Sequence, residues 1–299
     1  MIYLFSISNF ILNCKYFYFV YIFSIIVYTF YMTLSKLEQY YNKFNEDKRL
    51  LSRHGIVEFT ITTKYINKLI DEIFIEKSKN YDNSKIKMID IGAGTGRYTK
   101  YYYDKGIDIS AVELVKQNLV RLKEKCPLIQ STQGNAKNLS KFQDNTFDIT
   151  LLLGPMYHLF NEDKITALNE ARRVTKPNGY IVVAYLLNDY AVISYAFKEN
   201  NLLEVLKQNK LDENFITHTN IDDLYSYDTL NNIETYSQQC NLKRKVIFSP
   251  DGPTDYMRQS INKMDNQTFE IYLKYVEKIA ERKDLLGASS HIVDILQKV

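Results

Sequence analysis

Three glycines at alternate positions, Gly92, Gly94 and Gly96, follow directly on the run Lys87-Met88-Ile89-Asp90-Ile91. A short apolar strand that ends in an acid and passes through such a loop into a helix leaves little choice of fold. Glycine lets the backbone take positive φ and lets a ligand approach closely. The loop then brings backbone N–H groups and the positive end of the following helix against a bound group. This is how a nucleotide-like ligand is held at the carboxyl edge of a parallel sheet.

The pattern on either side of the loop agrees. Strands are predicted over 86–91, 107–113, 128–133, 147–153 and 180–186, and helices over 95–105, 115–125 and 161–174, where Ile165, Leu168 and Ala171 face inward. The fourth strand is almost wholly apolar, as expected of a strand covered on both faces. Pro177-Asn178-Gly179 is predicted as a turn. Alternation of this kind implies a parallel, doubly wound sheet. Before it, Ser35 and Glu38 have capping-box spacing for a helix near residue 36. A second helix runs to about residue 74 with Ile66, Leu69, Ile70 and Ile73 on one face, and 78–84 is a polar linker. After it, helical sequence is predicted over 188–220 and 228–239, a strand over 242–248, helices over 254–263 and 266–283, and a last strand over 290–297.

Composition narrows the class of partner. The 299 residues carry a net charge of +3 and are 45% hydrophobic, enough to build a large core. No long basic run marks a nucleic-acid face. Cys14, Cys126 and Cys240 are far apart and odd in number, which excludes a disulfide framework and fits a reducing compartment. His218 and His291 have no metal-ligand spacing with nearby acids, and no metal is expected.

The glycine loop differs from a dinucleotide-binding G-x-G-x-x-G. The third glycine comes one residue early, and Arg97 stands at the dinucleotide position. The form Asp90-x-Gly92-x-Gly94-x-Gly96 resembles motif I of class I S-adenosylmethionine (SAM)-dependent methyltransferases. Glu113, at the end of the second strand, matches the acid that accepts from both ribose hydroxyls. Gly134-Asn135-Ala136 resembles the family's G-D-A, with Asn135 in place of the acid that faces the adenine amino group. Phe147-Asp148-Ile149 opens the fourth strand in the family's manner. Leu153-Gly154 at its far end matches the backbone under the methionine moiety, and Arg173-Val174-Thr175-Lys176-Pro177-Asn178-Gly179 resembles the helix-turn before the fifth strand. These matches cover residues 87–187, about a third of the chain.

The resemblance implies a Rossmann-like, doubly wound sheet of seven strands, with an antiparallel seventh strand between the fifth and sixth and helical insertions as a lid over substrate. It divides the chain into an apolar segment (1–31), N-terminal helices (32–84), a SAM-binding core (85–187), and lid helices with the completion of the sheet (188–299). The cofactor is SAM, and the residues implied to hold it are Asp90, Gly92, Gly94, Gly96, Glu113, Asn135, Ala136, Leu153 and Gly154. Looser likeness to a bacterial subgroup of unassigned substrate lies in Gly154-Pro155-Met156-Tyr157-His158-Leu159, in the stretch from Arg49 through Arg53-His54-Gly55 to Glu58, and in Leu286-Gly287-Ala288-Ser289-Ser290-His291.

A sulfonium methyl is already activated, so the enzyme mainly aligns the nucleophile and excludes water. Tyr157 and His158 are the candidate catalytic residues on the substrate face. His158 serves as a general base, positions the substrate, or simply holds its loop. Tyr40, Tyr41, Arg53 and His54 are candidates to cover the cofactor or are plain surface residues, and Asp251, Asp255 and Arg258 line a pocket or cap a helix. The expected activity is methyl transfer to a small molecule. A protein methyltransferase, an NAD(P)-binding oxidoreductase and a non-catalytic SAM-binding protein are the alternatives. A nucleic-acid substrate is disfavoured, since Gly154-Pro155-Met156-Tyr157 lacks the leading Asp or Asn and second Pro of base amino-methyltransferases.

Residues 1–31 stand apart. From 16 to 32 the sequence is uncharged and, but for Ser24 and Thr29, apolar and aromatic, at the lower bound for a membrane span. One reading is an anchor that holds a cytoplasmic enzyme at the membrane face. The other is translated upstream sequence, with Met32 as the true start.

Overall fold

The computed structural model describes residues 36–43 and 51–299, divided between a unit Met1–Phe44 and a unit Asn45–Val299. In the first unit, α1 (Lys36–Lys43) carries Tyr40 and Tyr41, whose rings meet edge to face at 5.3 Å. The capping residue Ser35, the apolar stretch 1–31, the choice between Met1 and Met32, and Cys14 lie outside the described residues. Among the described residues no helix is long and apolar enough to cross a membrane.

The second unit opens with α2 (Arg53–Lys79), one helix of 27 residues. Gly55 lies inside its first turn. That residue is buried, and its carbonyl accepts from Arg97 Nη1 at 3.2 Å. Val57, Ile61, Tyr65 and Leu69 recur every fourth residue and are buried, so the helix holds one apolar stripe against the sheet.

Next come β1 (Lys87–Ile91), α3 (Arg97–Asp104), β2 (Asp108–Glu113), α4 (Lys116–Lys125), β3 (Ser131–Gln133), β4 (Phe147–Leu152) and a 3₁₀ turn Pro155–His158. They lead to α5 (Glu162–Val174) and β5 (Thr175–Leu186). β3 is shorter than expected. Asn161 precedes α5 at φ +50°, and its side chain makes no cap bond. β5 begins five residues earlier than the sequence suggests. Pro177-Asn178-Gly179 forms a bulge inside the strand, where Phe147 pairs with Thr175 and Ile149 with Tyr180. Asn178 takes up the irregularity at φ +63°, and Lys176 pins it by an ion pair with Asp148 at 2.8 Å.

The remainder is more broken than its sequence suggests. α6 (Asn188–Ala191) runs into a π-helical stretch, Val192–Lys198, then α7 (Leu202–Lys207) and loop. α8 (Leu230–Gln239) starts from a capping box between Thr229 and Asn232. β6 (Leu242–Phe248), α9 (Arg258–Lys263), α10 (Asn266–Ile279), α11 (Lys283–Leu286) and β7 (His291–Lys298) complete the unit.

The seven strands form one sheet in the order β3-β2-β1-β4-β5-β7-β6. β1 to β5 are parallel, and β7 enters antiparallel between β5 and β6. This is the Rossmann-like arrangement expected. Alternate side chains feed two cores. Ile89, Leu152, Ile181, Val183 and Leu296 pack under α5, whereas Met88, Ile149, Leu151, Val182 and Val293 pack with Val57 and Ile61 of α2 and Val276 of α10. The strand order reverses between β1 and β4, which opens a crevice at their carboxyl ends.

Candidate active site

The glycine loop leaves β1 at that crevice. Gly92 and Ala93 both donate their N–H to Val112 O, at 2.8 and 3.1 Å, so the loop folds back over the end of β2. Gly92 sits at φ +72°, and a Cβ there would fall 2.6 Å from Pro155 Cγ. Only glycine lets the loop pass this close to the segment after β4. Gly94 is different. Its φ is +56°, yet a Cβ would meet nothing within 4 Å. Open space therefore lies directly before the middle of the loop, where a ligand would sit. Gly96, at φ +88°, starts α3 and packs on Leu122.

Two buried acids brace the loop. Glu113 Oε2 accepts from Gly94 N–H and Oε1 from Val115 N–H, both at 2.8 Å. Burial pushes this carboxyl up, and the backbone donors pull it back. Asp90 accepts from Thr99 Oγ1 at 2.6 Å, which ties β1 to α3. Its burial raises it to about 6 against that hydrogen bond, with the charge of Glu113 adding to the rise. Of the sites implied by resemblance, Asp90, the three glycines, Glu113, Leu153 and Gly154 meet at the ends of β1, β2 and β4. Gly154 lies against the loop, since a Cβ on it would be 3.4 Å from Gly92 O.

Asn135 and Ala136 follow β3. Gly134 N–H donates to Glu113 O at 3.1 Å, which sets this loop beside the end of β2. Asn135 Oδ1 accepts from Lys137 N–H at 3.0 Å, an Asx turn that fixes the amide, and Ala136 is buried.

Tyr157 and His158 lie on the 3₁₀ turn beyond β4. Tyr157 donates its hydroxyl to Leu153 O at 3.3 Å. His158 Nδ1 lies 2.8 Å from Leu224 O, so that nitrogen carries the proton. Burial lowers its pKa to about 4 although the Leu224 carbonyl favours the charged form. His158 is thus anchored through Leu224 to the segment that follows β5. Ser226 completes the seam: its N–H donates to Tyr157 O at 2.8 Å and its hydroxyl to Leu159 O at 2.7 Å.

Arg53 and His54 are not drawn into this crevice as ligands. Arg53 donates to Asp265 O and Asn266 Oδ1, and His54 meets Asn262, so both tie α2 to the α9–α10 corner. The sequence offered Asp251 and Asp255 as pocket or cap residues and set His291 apart from nearby acids, but the fold joins the three. Asp251, Asp255 and His291 converge, with their ligand-type atoms all within 4.8 Å. His291 opens β7 opposite Leu186 at the end of β5, and its ring centroid is 6.4 Å from that of Tyr157. Two stretches of looser resemblance, around Tyr157 and His291, therefore meet at the carboxyl edge of the sheet.

Comparison with known proteins gives a name to part of this arrangement. Residues 89–183 match the family model of a methyltransferase domain. The chain is 37% identical over 98 residues to a demethylmenaquinone methyltransferase of Paenarthrobacter aurescens, covering 33% of this chain and 38% of that protein. It is 39% identical over 99 residues to the enzyme of the same name from Renibacterium salmoninarum, covering 33% and 40%. The chain thus spans about two fifths of the length of these relatives. A solved SAM-dependent methyltransferase from Methanosarcina mazei aligns over 74% of this chain and 96% of its own, at 14% identity and a TM-score of 0.49. The matched residues 89–183 run from β1 into β5 of the seven-stranded sheet.

Proposed function

We propose that this protein is a SAM-dependent methyltransferase acting on a small-molecule acceptor. The observation that carries the reading is the glycine loop, opened at Gly94, braced by Glu113 and lying at the crevice between β1 and β4, inside the span that matches a methyltransferase domain. The fit is electrostatic as well as steric. Asp90 and Glu113 are two buried carboxyls, and burying charge without a partner is costly. A ligand bearing a sulfonium and an ammonium offsets that cost.

SAM supplies a methyl group already activated on sulfur. The chain's own work is to bind, orient and exclude water. Glu113, held by the N–H groups of Gly94 and Val115, would accept from the ribose hydroxyls. Ala136 and the Asn135 turn wall the base side. Leu153 and Gly154 line the methionine side, with the Leu153 carbonyl held by Tyr157. Tyr157 faces the acceptor. His158 orders the lid through Leu224, and as a neutral imidazole it contributes shape more than proton transfer.

The test is a turnover assay with radiolabelled methyl-SAM against a small-molecule extract, paired with calorimetry of S-adenosylhomocysteine binding. The expected result is binding of S-adenosylhomocysteine and label in a low-mass product. Binding without any labelled product, in small molecules or in protein, would favour a silent SAM-binding protein and overturn the enzymatic reading.

A further inference from the structure

Resting on that reading, the insertion after β5 reaches the cofactor side of the crevice through one buried serine. The 3₁₀ turn Pro155–His158 is too short to satisfy its own last carbonyls. Tyr157 O and Leu159 O find donors on Ser226, from its N–H at 2.8 Å and its hydroxyl at 2.7 Å. Met156 O lies 3.4 Å from the same hydroxyl. Two residues earlier, Leu224 O takes the proton of His158 Nδ1 at 2.8 Å. Ser226 is only 4% exposed, so water does not compete for these bonds.

The returning strap of the insertion, residues 224–228, does not need Ser226 for its own place. Two residues on, Asp228 joins the sheet. Its N–H donates to Leu186 O at 2.8 Å, its carbonyl accepts from Asn188 N–H at 2.9 Å, and its carboxylate holds Lys164 and the Tyr236 hydroxyl. What Ser226 adds is the tie between this fixed strap and the turn after β4.

Tyr157 carries that tie to the cofactor side. Its carbonyl accepts from Ser226, its ring centroid is 6.2 Å from that of Tyr225, and its hydroxyl donates to Leu153 O at 3.3 Å. The same hydroxyl is 3.7 Å from where a Cβ on Gly154 would stand, so it covers the Leu153–Gly154 peptide. One residue therefore spans from the strap to the backbone matched to the methionine end of the cofactor. A shift of the strap displaces the Tyr157 backbone and spoils the alignment of its hydroxyl on Leu153 O, and a hydrogen bond weakens steeply with misalignment.

We infer that Ser226 is a positioning residue: it sets Tyr157, and through Tyr157 the Leu153–Gly154 peptide, so that order in the strap and hold on the cofactor rise together. Coupling of this kind is reciprocal. Bound cofactor steadies the strap, and a strap steadied by an acceptor tightens the cofactor in the same measure.

The experiment is a double-mutant cycle on the full chain, with S-adenosylhomocysteine as the probe and calorimetry as the readout. Each variant is first checked for a cooperative thermal transition. Tyr157→Phe should weaken S-adenosylhomocysteine about threefold to tenfold, the worth of one hydrogen bond. Ser226→Ala should weaken it by a similar factor, and the double variant should stay within about twofold of Tyr157→Phe alone. Hydrogen exchange tests the reverse direction and needs no change at Ser226. S-adenosylhomocysteine should slow exchange of the Ser226 amide at least about threefold in the wild type and leave it unchanged in Tyr157→Phe. Unchanged affinity in folded Ser226→Ala would overturn the inference. So would factors that multiply in the double variant, because each residue would then act on its own. A Ser226 amide in the wild type that is indifferent to the ligand would overturn it as well. Wild-type protein that binds no S-adenosylhomocysteine would overturn the methyltransferase reading, and this inference with it.

Discussion

Gly94 donates its backbone N–H to Glu113 Oε2 at 2.8 Å, so the middle of the glycine loop hangs from the last residue of β2. The same carboxylate holds Val115 N–H through its other oxygen. One side chain thus sets both the loop and the start of α4. Glu113→Ala leaves two inward-facing donors unpaired, at about 1–3 kcal/mol each. The expected outcome is a lower urea midpoint together with loss of S-adenosylhomocysteine binding. Glu113→Gln, which keeps one acceptor, should recover more stability than binding.

Gly94→Val separates the site from the fold. A non-glycine residue at φ +56° costs roughly 1–2 kcal/mol. No atom lies within 4 Å of the new Cβ, so the unit should remain folded while the ligand space is filled. Circular dichroism should show an intact Tm transition, lowered by a few degrees, and calorimetry should show no S-adenosylhomocysteine binding. Gly92→Ala should do more damage to folding, since its Cβ would strike Pro155.

Lys164 and Asp228 form an ion pair with each side chain 3% exposed, and Tyr236 donates to the second oxygen of Asp228 at 2.8 Å. Asp228 is also where the insertion after β5 returns to the sheet, through Asp228 N–H to Leu186 O at 2.8 Å. Removing one partner of such a pair strands the other charge. Lys164→Met should cost about 3–5 kcal/mol. Hydrogen exchange should rise across residues 188–229 before it rises in β1 or β4.

His291 predicts a pH dependence. Burial alone would lower its pKa, but the charges of Glu58, Asp251 and Asp255 outweigh it and raise the imidazole to about 9. The unfolded value is about 6.5, so the folded state binds the proton more tightly. This stability is fully present below pH 6.5 and is lost as pH rises through about 9. The whole effect is on the order of 3 kcal/mol. Urea midpoints measured from pH 6 to 10 should fall across this window in the wild type and fall less in His291→Asn.

Local signals were readable in the sequence, and long-range closure was not. The glycine loop, Glu113 and the apolar fourth strand depend on residues near one another in the chain, and each stands where the pattern put it. The strand order with β7 between β5 and β6 followed from resemblance. What escaped depends on distant residues. His291 and Asp251 are 40 apart, and Lys164 and Asp228 are 64 apart. Spacing rules search along one element, so they could not bring an acid after β6 to a histidine that opens β7. The anchoring of His158 by Leu224 was hidden for the same reason. The bulge at Pro177-Asn178-Gly179 read as a turn because turns and bulges draw on the same residues.

The claim that the loop from Asp90 to Gly96 holds SAM is tested most directly by calorimetry on the wild-type protein, titrated in parallel with S-adenosylhomocysteine and with NADH. The account predicts one-to-one binding of S-adenosylhomocysteine, abolished by Gly94→Val, and no heat of binding with NADH. Folded protein that binds NADH and not S-adenosylhomocysteine would contradict it.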